Sequence, residues 1–256
     1  MTTPYLTRIF MIASFSVLTS PLALAHGPQS ESDAPSGHAE EGVVTSETAS
    51  GHHALVHPFV VHMGMPDEPG EISVRLMSIT ERNAGVANGT YGFHVEVGVA
   101  DRLGLHLRND ALATHANTEL MLQYALLKSG ENGIALIGEV EFPTGPTTEN
   151  RNKYLSGLSF AYYWDSILSV NSVVHYNAPE KMTEWEIAFV SRMTEKIFPV
   201  LEFRGEATKD MSTTQALLAL KFKIPRGNAI GVGYQIPIST NRDYDSQLIT
   251  EVELNF

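Results

Sequence analysis

Beyond Glu71 the chain alternates apolar and polar residues with a period of two, segment after segment, to its last residue. "FHVEVGV" sets Phe93, Val95, Val97 and Val99 on one side and His94 and Glu96 on the other. "ELMLQYALL" sets Leu120, Leu122, Tyr124 and Leu126 against Glu119 and Gln123. "ALLALKFKI" sets Ala216, Leu218, Leu220, Phe222 and Ile224 against Lys221 and Lys223. The closing "LITEVELNF" sets Leu248, Val252, Leu254 and Phe256 against Ile249, Glu251, Glu253 and Asn255, with Thr250 as the one weak place on the apolar side. Side chains of a strand point to opposite faces in turn. Each segment therefore predicts a strand with one greasy face and one wet face.

Twelve such segments can be counted. A soluble β-sandwich also alternates, but its strands are usually about five or six residues long. These segments run nearer about ten, the length needed to cross a bilayer at a tilt. The connections alternate in length too. "ADR", "SGEN", "DS", "TE" and "PRGN" are tight, whereas "TERNAGVANG", "NDALATHAN", "PTGPTTENRNK", "NAPEKMT", "EATKDMSTT" and "STNRDYDSQ" are longer and polar. Aromatic residues gather at both ends: Tyr91, Tyr154, Tyr176 and Trp185 toward the long loops, and Trp164, Phe198, Phe222 and Phe256 toward the tight turns. Such girdles suit the two interfaces of a membrane. The pattern predicts an all-β, twelve-stranded antiparallel transmembrane β-barrel over residues 71–256, in the outer membrane of a Gram-negative bacterium. The tight turns and both ends of the barrel domain would face the periplasm. The final strand must pair with the first, because an open edge in lipid leaves backbone groups unsatisfied.

The first 70 residues read differently. Arg8, the apolar run that follows and "ALA" at 23–25 describe a secretory signal peptide over residues 1–25. Residues 26–70 then form a His-rich leader. Its first part, to residue 56, is rich in Gly, Ser, Glu and Thr and has no aromatic residue. Such a composition buries too little apolar surface to offset its ordering entropy. The leader is expected to be disordered and periplasmic.

Composition narrows the function classes. The 256 residues hold no cysteine, so thiolate metal sites, disulfides and cysteine nucleophiles are excluded. Lys plus Arg number 17 against 29 Asp plus Glu, a formal net charge of −12, which is the wrong sign for a nucleic-acid partner.

Three stretches carry a likeness. "HPFVVHMGMPDEPGEISVRL" (57–76), "VEVGVADRLGLHL" (95–107) and "GEVEFPTGP" (138–146) resemble the opening, a strand–turn–strand and a Glu-x-x-x-Pro-Thr-Gly element of one bacterial outer-membrane β-barrel "transporter" family, the MetA-pathway of phenol degradation type. Val97 stands where that family commonly has an aromatic residue, and "VVHMGM" where its opening is usually more acidic. The resemblance implies an outer-membrane barrel that carries small or hydrophobic solutes. A terminal Phe256 after alternating apolar residues also resembles the signature read by the barrel assembly machinery.

The wet faces supply the candidate chemistry. Glu96, Arg108, Glu139, Glu141, Glu202, Arg204 and Glu206 fall on lumen-facing positions. They would either line a permeation path or pair into a filling that stiffens the wall. Eight strands enclose room mainly for side chains and 16 or more a water channel; twelve lies between. Acids outnumber bases, so a path would favour cations. The leader offers a second chemistry: His26, His52, His53, His57 and His62, with Met63 and Met65, are residue types that suit Cu or Zn held weakly. Enzyme motifs are absent, and Ser172 and His175 differ in parity, so they cannot share a proton. Three readings stay open: an outer-membrane channel for a small solute or cation, a metal-binding outer-membrane protein, and a structural barrel without a pore. Outer-membrane lipid is the expected surrounding in each.

Overall fold

A computed structural model describes residues 55–109, 117–144, 151–242 and 244–256. The signal-peptide segment and the leader up to residue 54, with His26, His52 and His53, lie outside the described residues.

The strands are β1 (Ile72–Asn83), β2 (Val86–Ala100), β3 (Leu103–Asn109), β4 (Asn117–Ser129), β5 (Asn132–Pro143) and β6 (Lys153–Trp164). They continue as β7 (Leu168–Asn177), β8 (Met182–Ser191), β9 (Ile197–Ala207), β10 (Ser212–Lys223), β11 (Ala229–Pro237) and β12 (Ser246–Asn255). Each pairs antiparallel with its chain neighbours, and β1 pairs with β12, so the sheet closes into a twelve-stranded barrel. The closure runs to the last residue: Phe256 N–H donates to Ile72 O at 2.9 Å, and Ile72 N–H to Phe256 O at 3.2 Å. Among the described residues no edge strand is left unpaired, which is what a spanning sheet requires. No helix among the described residues is long and apolar enough to cross a membrane.

Parity behaves as the alternation predicts. On β10 and β11, Leu218 is 67% exposed and Tyr234 53%, while Lys221 is 0% and Gln235 1% exposed. On these strands the outside is thus apolar, while the inside holds buried polar and charged side chains, the inverse of a soluble protein's surface.

Three details differ from expectation. Several polar connections are extensions of the strands rather than loops. β1 and β2 run to a tight turn at Ala84 and Gly85, both with positive φ, which fits the type I′ pattern favoured in two-residue hairpins. Phe198 is not in a girdle: it is 0% exposed and points inward, because its neighbour Ile197 takes the outward place.

The third difference is the largest. The leader is not disordered as far as residue 70. Leu55 through Asp67 are buried inside the barrel and form a plug. Leu55, Val56, Phe59 and Val60 pack against the inward residues Met77, Ile79, Val190, Phe198, Val200, Leu217 and Ile249. Twelve strands enclose more space than their own side chains fill, and the plug occupies it with an apolar cluster. The physical reason lies in the segment itself: "LVHPFVVHMGM" carries enough apolar surface to offset its ordering.

Candidate functional site

The plug's backbone cannot join the sheet, so its polar groups need partners from the wall. Glu202 on β9 supplies three contacts. Its carboxylate accepts from the N–H groups of Phe59 at 2.5 Å, Val60 at 3.0 Å and Val61 at 3.3 Å. On β8, Glu186 accepts from His62 N–H at 3.1 Å, and on β7 Asn171 Oδ1 accepts from Gly64 N–H at 3.0 Å. Carbonyls are met by cations and amides: Arg75 Nη1 donates to Pro58 O at 2.7 Å, Lys221 Nζ to the same oxygen at 3.1 Å, and Gln123 Nε2 to Met63 O at 3.0 Å.

Two glycines make room. A Cβ on Gly231 would lie 2.4 Å from the Phe59 ring, and one on Gly98 would lie 1.9 Å from Glu68 O. At Gly98 the plug leaves the lumen near the tight turns, where Gly70 N–H donates to Gly98 O at 2.8 Å. A buried charge network backs the plug. Lys221 Nζ lies 2.5 Å from Glu251 and 2.9 Å from Glu253, Arg75 Nη2 lies 2.6 Å from Glu96, and His57 Nδ1 lies 3.0 Å from Glu253. Charges so deep persist only when paired.

Above the plug, toward the long connections, a cavity of about 260 Å³ opens. Six glutamates line it, Glu119, Glu139, Glu141, Glu184, Glu186 and Glu206, against three permanent cations, Arg108, Lys153 and Arg204, with His62 and His175 also in the lining. The cations are engaged: Arg108 lies 3.7 Å from Glu119 and 3.5 Å from Glu186, Lys153 lies 3.7 Å from Glu141, and Arg204 donates to Gln215 at 2.9 Å. The register sets like charges directly opposite each other twice, Glu119 against Glu141 and Glu184 against Glu206. Each such pair works against the sheet. A wall designed only for stiffness would place opposite charges there, as it does at Arg108 opposite Glu119 and Glu186 opposite Arg204.

The residues expected from sequence therefore separate by depth. Glu139, Glu141, Arg204, Glu206 and Arg108 line the vestibule. Glu96 and Glu202 lie beneath it and serve the plug and its charge network. Of the leader's metal-ligand candidates, His57, His62, Met63 and Met65 are all buried in the lumen, at separate places. His57 meets Glu253, His62 meets Glu186, and Met65 packs against Ala125, Ala135 and Ala161. Arg75 was not singled out from sequence, although its place between Val74 and Leu76 fixes its inward direction. Lys153 falls at the end of the connection "PTGPTTENRNK", because the alternation of β6 is read from Tyr154, whereas the strand begins at Lys153. Ser172 and His175 point to opposite faces, half-exposed outward and buried inward.

No protein-family model matches the chain, and no curated protein matches it. Solved structures do. An outer-membrane channel from Pseudomonas putida F1 superposes with a TM-score of 0.56 at 9% identity, covering 78% of this chain and 100% of that one. The NanC porin gives 0.53 at 9% identity, over 71% and 97% of the two chains. The KdgM porin in complex with disordered oligogalacturonate gives 0.53 at 13% identity, over 73% and 98%. The fold is that of outer-membrane porins. At these identities the likeness is one of architecture, and the vestibule and plug have to be read from this chain's own residues.

Proposed function

We propose that the protein is an outer-membrane channel that gathers small cations or cationic solutes in its acidic vestibule and is closed beneath by its own segment 55–68. One observation carries this reading: two directly opposed glutamate pairs border an open cavity, a placement that weakens the wall and strengthens the attraction for a cation. The apolar outer face supports a place in the outer membrane, with the tight turns on the periplasmic side. The free aromatic ring of Phe256, 74% exposed beside the closing strand pair, supports recognition by the assembly machinery. Membership of the MetA-pathway type of transporter belongs to the same proposal. What supports it is that its three motif stretches fall on the plug with β1, on the β2–β3 hairpin and on the end of β5.

Reversal potentials across a planar bilayer under a KCl gradient test the reading. The native plug blocks current, so the measurement uses Gly231→Val, in which a side chain meets the Phe59 ring and loosens the plug. That chain is expected to favour K⁺ over Cl⁻, and Glu141→Gln with Glu184→Gln added to it to reduce the preference. Anion preference in Gly231→Val, or a preference untouched by the two added substitutions, would overturn the reading.

A further inference from the structure

Beneath the vestibule, three wall residues on adjoining strands turn toward one point. His94 and Glu96 lie on β2 and His106 lies opposite on β3, at the register pair Glu96–His106. All three are buried, at 1%, 1% and 3% exposure. His94 Nε2 lies 3.3 Å from Glu96 Oε1, and His106 Nδ1 lies 3.4 Å from the same oxygen. Neither nitrogen has a hydrogen-bond partner, and neither has Glu96 Oε2.

The proton on His106 can be placed from its neighbours. Gln123 donates through Nε2 to Met63 O at 3.0 Å and to Ser159 Oγ at 2.8 Å, so its Oε1 is the acceptor that faces His106 Nε2 at 3.2 Å. His106 Nε2 must then be the donor, and in the neutral ring Nδ1 keeps a lone pair. In that ring the lone pair faces a carboxylate oxygen, and either a proton or a metal ion between them satisfies both. Donor atoms held about 2.0–2.1 Å from a tetrahedral ion lie about 3.3 Å from one another, which is the spacing seen here. The orienting bond from the far ring nitrogen to a fixed amide is the usual support of a ligating histidine.

We infer that His94, Glu96 and His106 form a site for a divalent transition-metal ion, zinc-like in its preference for imidazole and carboxylate. The three ligand atoms all lie within 4.8 Å of one another, and water takes the fourth position. His62 of the plug stands alongside, its ring 5.1 Å from that of His94 and 6.0 Å from that of His106, with its Nε2 3.9 Å from Glu119 Oε2. His62 also lines the vestibule, so the ion has a way in from the cavity. Arg75 is the local competitor: Nη2 donates to Glu96 Oε1 at 2.6 Å and also contacts His94 Nδ1. A guanidinium only donates, so His94 Nδ1 accepts from Arg75 and its Nε2 carries the ring proton when the site is empty. Loading displaces Arg75 from both Nδ1 and Oε1, the ring proton moves to Nδ1, and the unused Oε2 of Glu96 is there to take the guanidinium. Arg75 keeps its Nη1 bonds to the carbonyls of Pro58 at 2.7 Å and Phe59 at 3.1 Å.

The site stands whether or not the barrel conducts, so binding is measured without current. The test uses the full mature chain in detergent micelles, with leader residues His26, His38, His52 and His53 changed to Gln to remove competing imidazoles. Titration with Co(II) is expected to give one ion per barrel with the intense visible bands of tetrahedral Co(II), displaced by Zn(II). His106→Gln and Glu96→Gln should each weaken binding at least about tenfold. Absence of the tetrahedral spectrum in the parent chain overturns the inference, and so does a spectrum that persists unchanged in both variants. Heat-modifiable gel mobility reports whether each variant forms its barrel; if a variant does not, the parent titration still decides.

Discussion

Glu202 shows what a single residue's sequence context reveals and what it hides. Alternation with Leu201 and Phe203 fixes its direction into the lumen. Its role comes from Phe59, Val60 and Val61, more than 140 residues earlier in the chain, and parity says nothing of such partners. The same holds for Glu96, legible as inward but not as one corner of a buried His–Glu–His triangle. Removing the Glu202 carboxylate takes three charge-assisted bonds from the plug. Glu202→Ala should cost about 2 kcal/mol of plug anchoring, a roughly thirtyfold rise in the fraction with the plug out. Limited proteolysis should then cut the chain near residues 55–68 faster than in the parent. Gly231→Val acts at the same place by steric means, because any Cβ there meets the Phe59 ring. It should raise single-channel conductance while leaving the barrel's gel mobility unchanged.

At the scale of the strand, nearly everything was readable. A period of two, sustained for about ten residues, decides both the element and its faces. What failed was read by position rather than by parity. Phe198 was placed in a girdle because it lies near a turn, yet the strand beginning at Ile197 sends it inward. Polar residues near Asn83 and Val86 looked like a loop, although a strand that rises past the membrane has no need of apolar partners. Outward positions carry their own test. Val232 on β11 sits opposite Thr250 on β12, both on the outer face. Val232→Arg should destabilise the barrel by about 2 kcal/mol if it lies near the bilayer midplane. Thr250→Val should be neutral or slightly stabilising. Urea unfolding in lipid vesicles compares the two, and equal effects would argue against lipid at that face.

The whole molecule is a wall with something inside it, and the second half of that statement was the less legible. Alternation left open whether twelve strands enclose a path or a filling. Two signals bore on it. Ile79, Val200, Leu217 and Ile249 are apolar at inward places, where a water-filled lumen has no use for them. The plug segment itself is apolar, unlike the polar leader before it. Neither signal says how the two meet, since that depends on contacts across the full width of the barrel. The central claim is that segment 55–68 closes the lumen, and thiol labelling tests it most directly. The native chain has no cysteine, so a single Val61→Cys reports without background. Val61 is 0% exposed. In the folded, membrane-inserted chain this thiol should resist a membrane-impermeant maleimide and react only after unfolding. Labelling in the folded chain as fast as at a cysteine placed in the leader, for instance Ser46→Cys, would contradict the account.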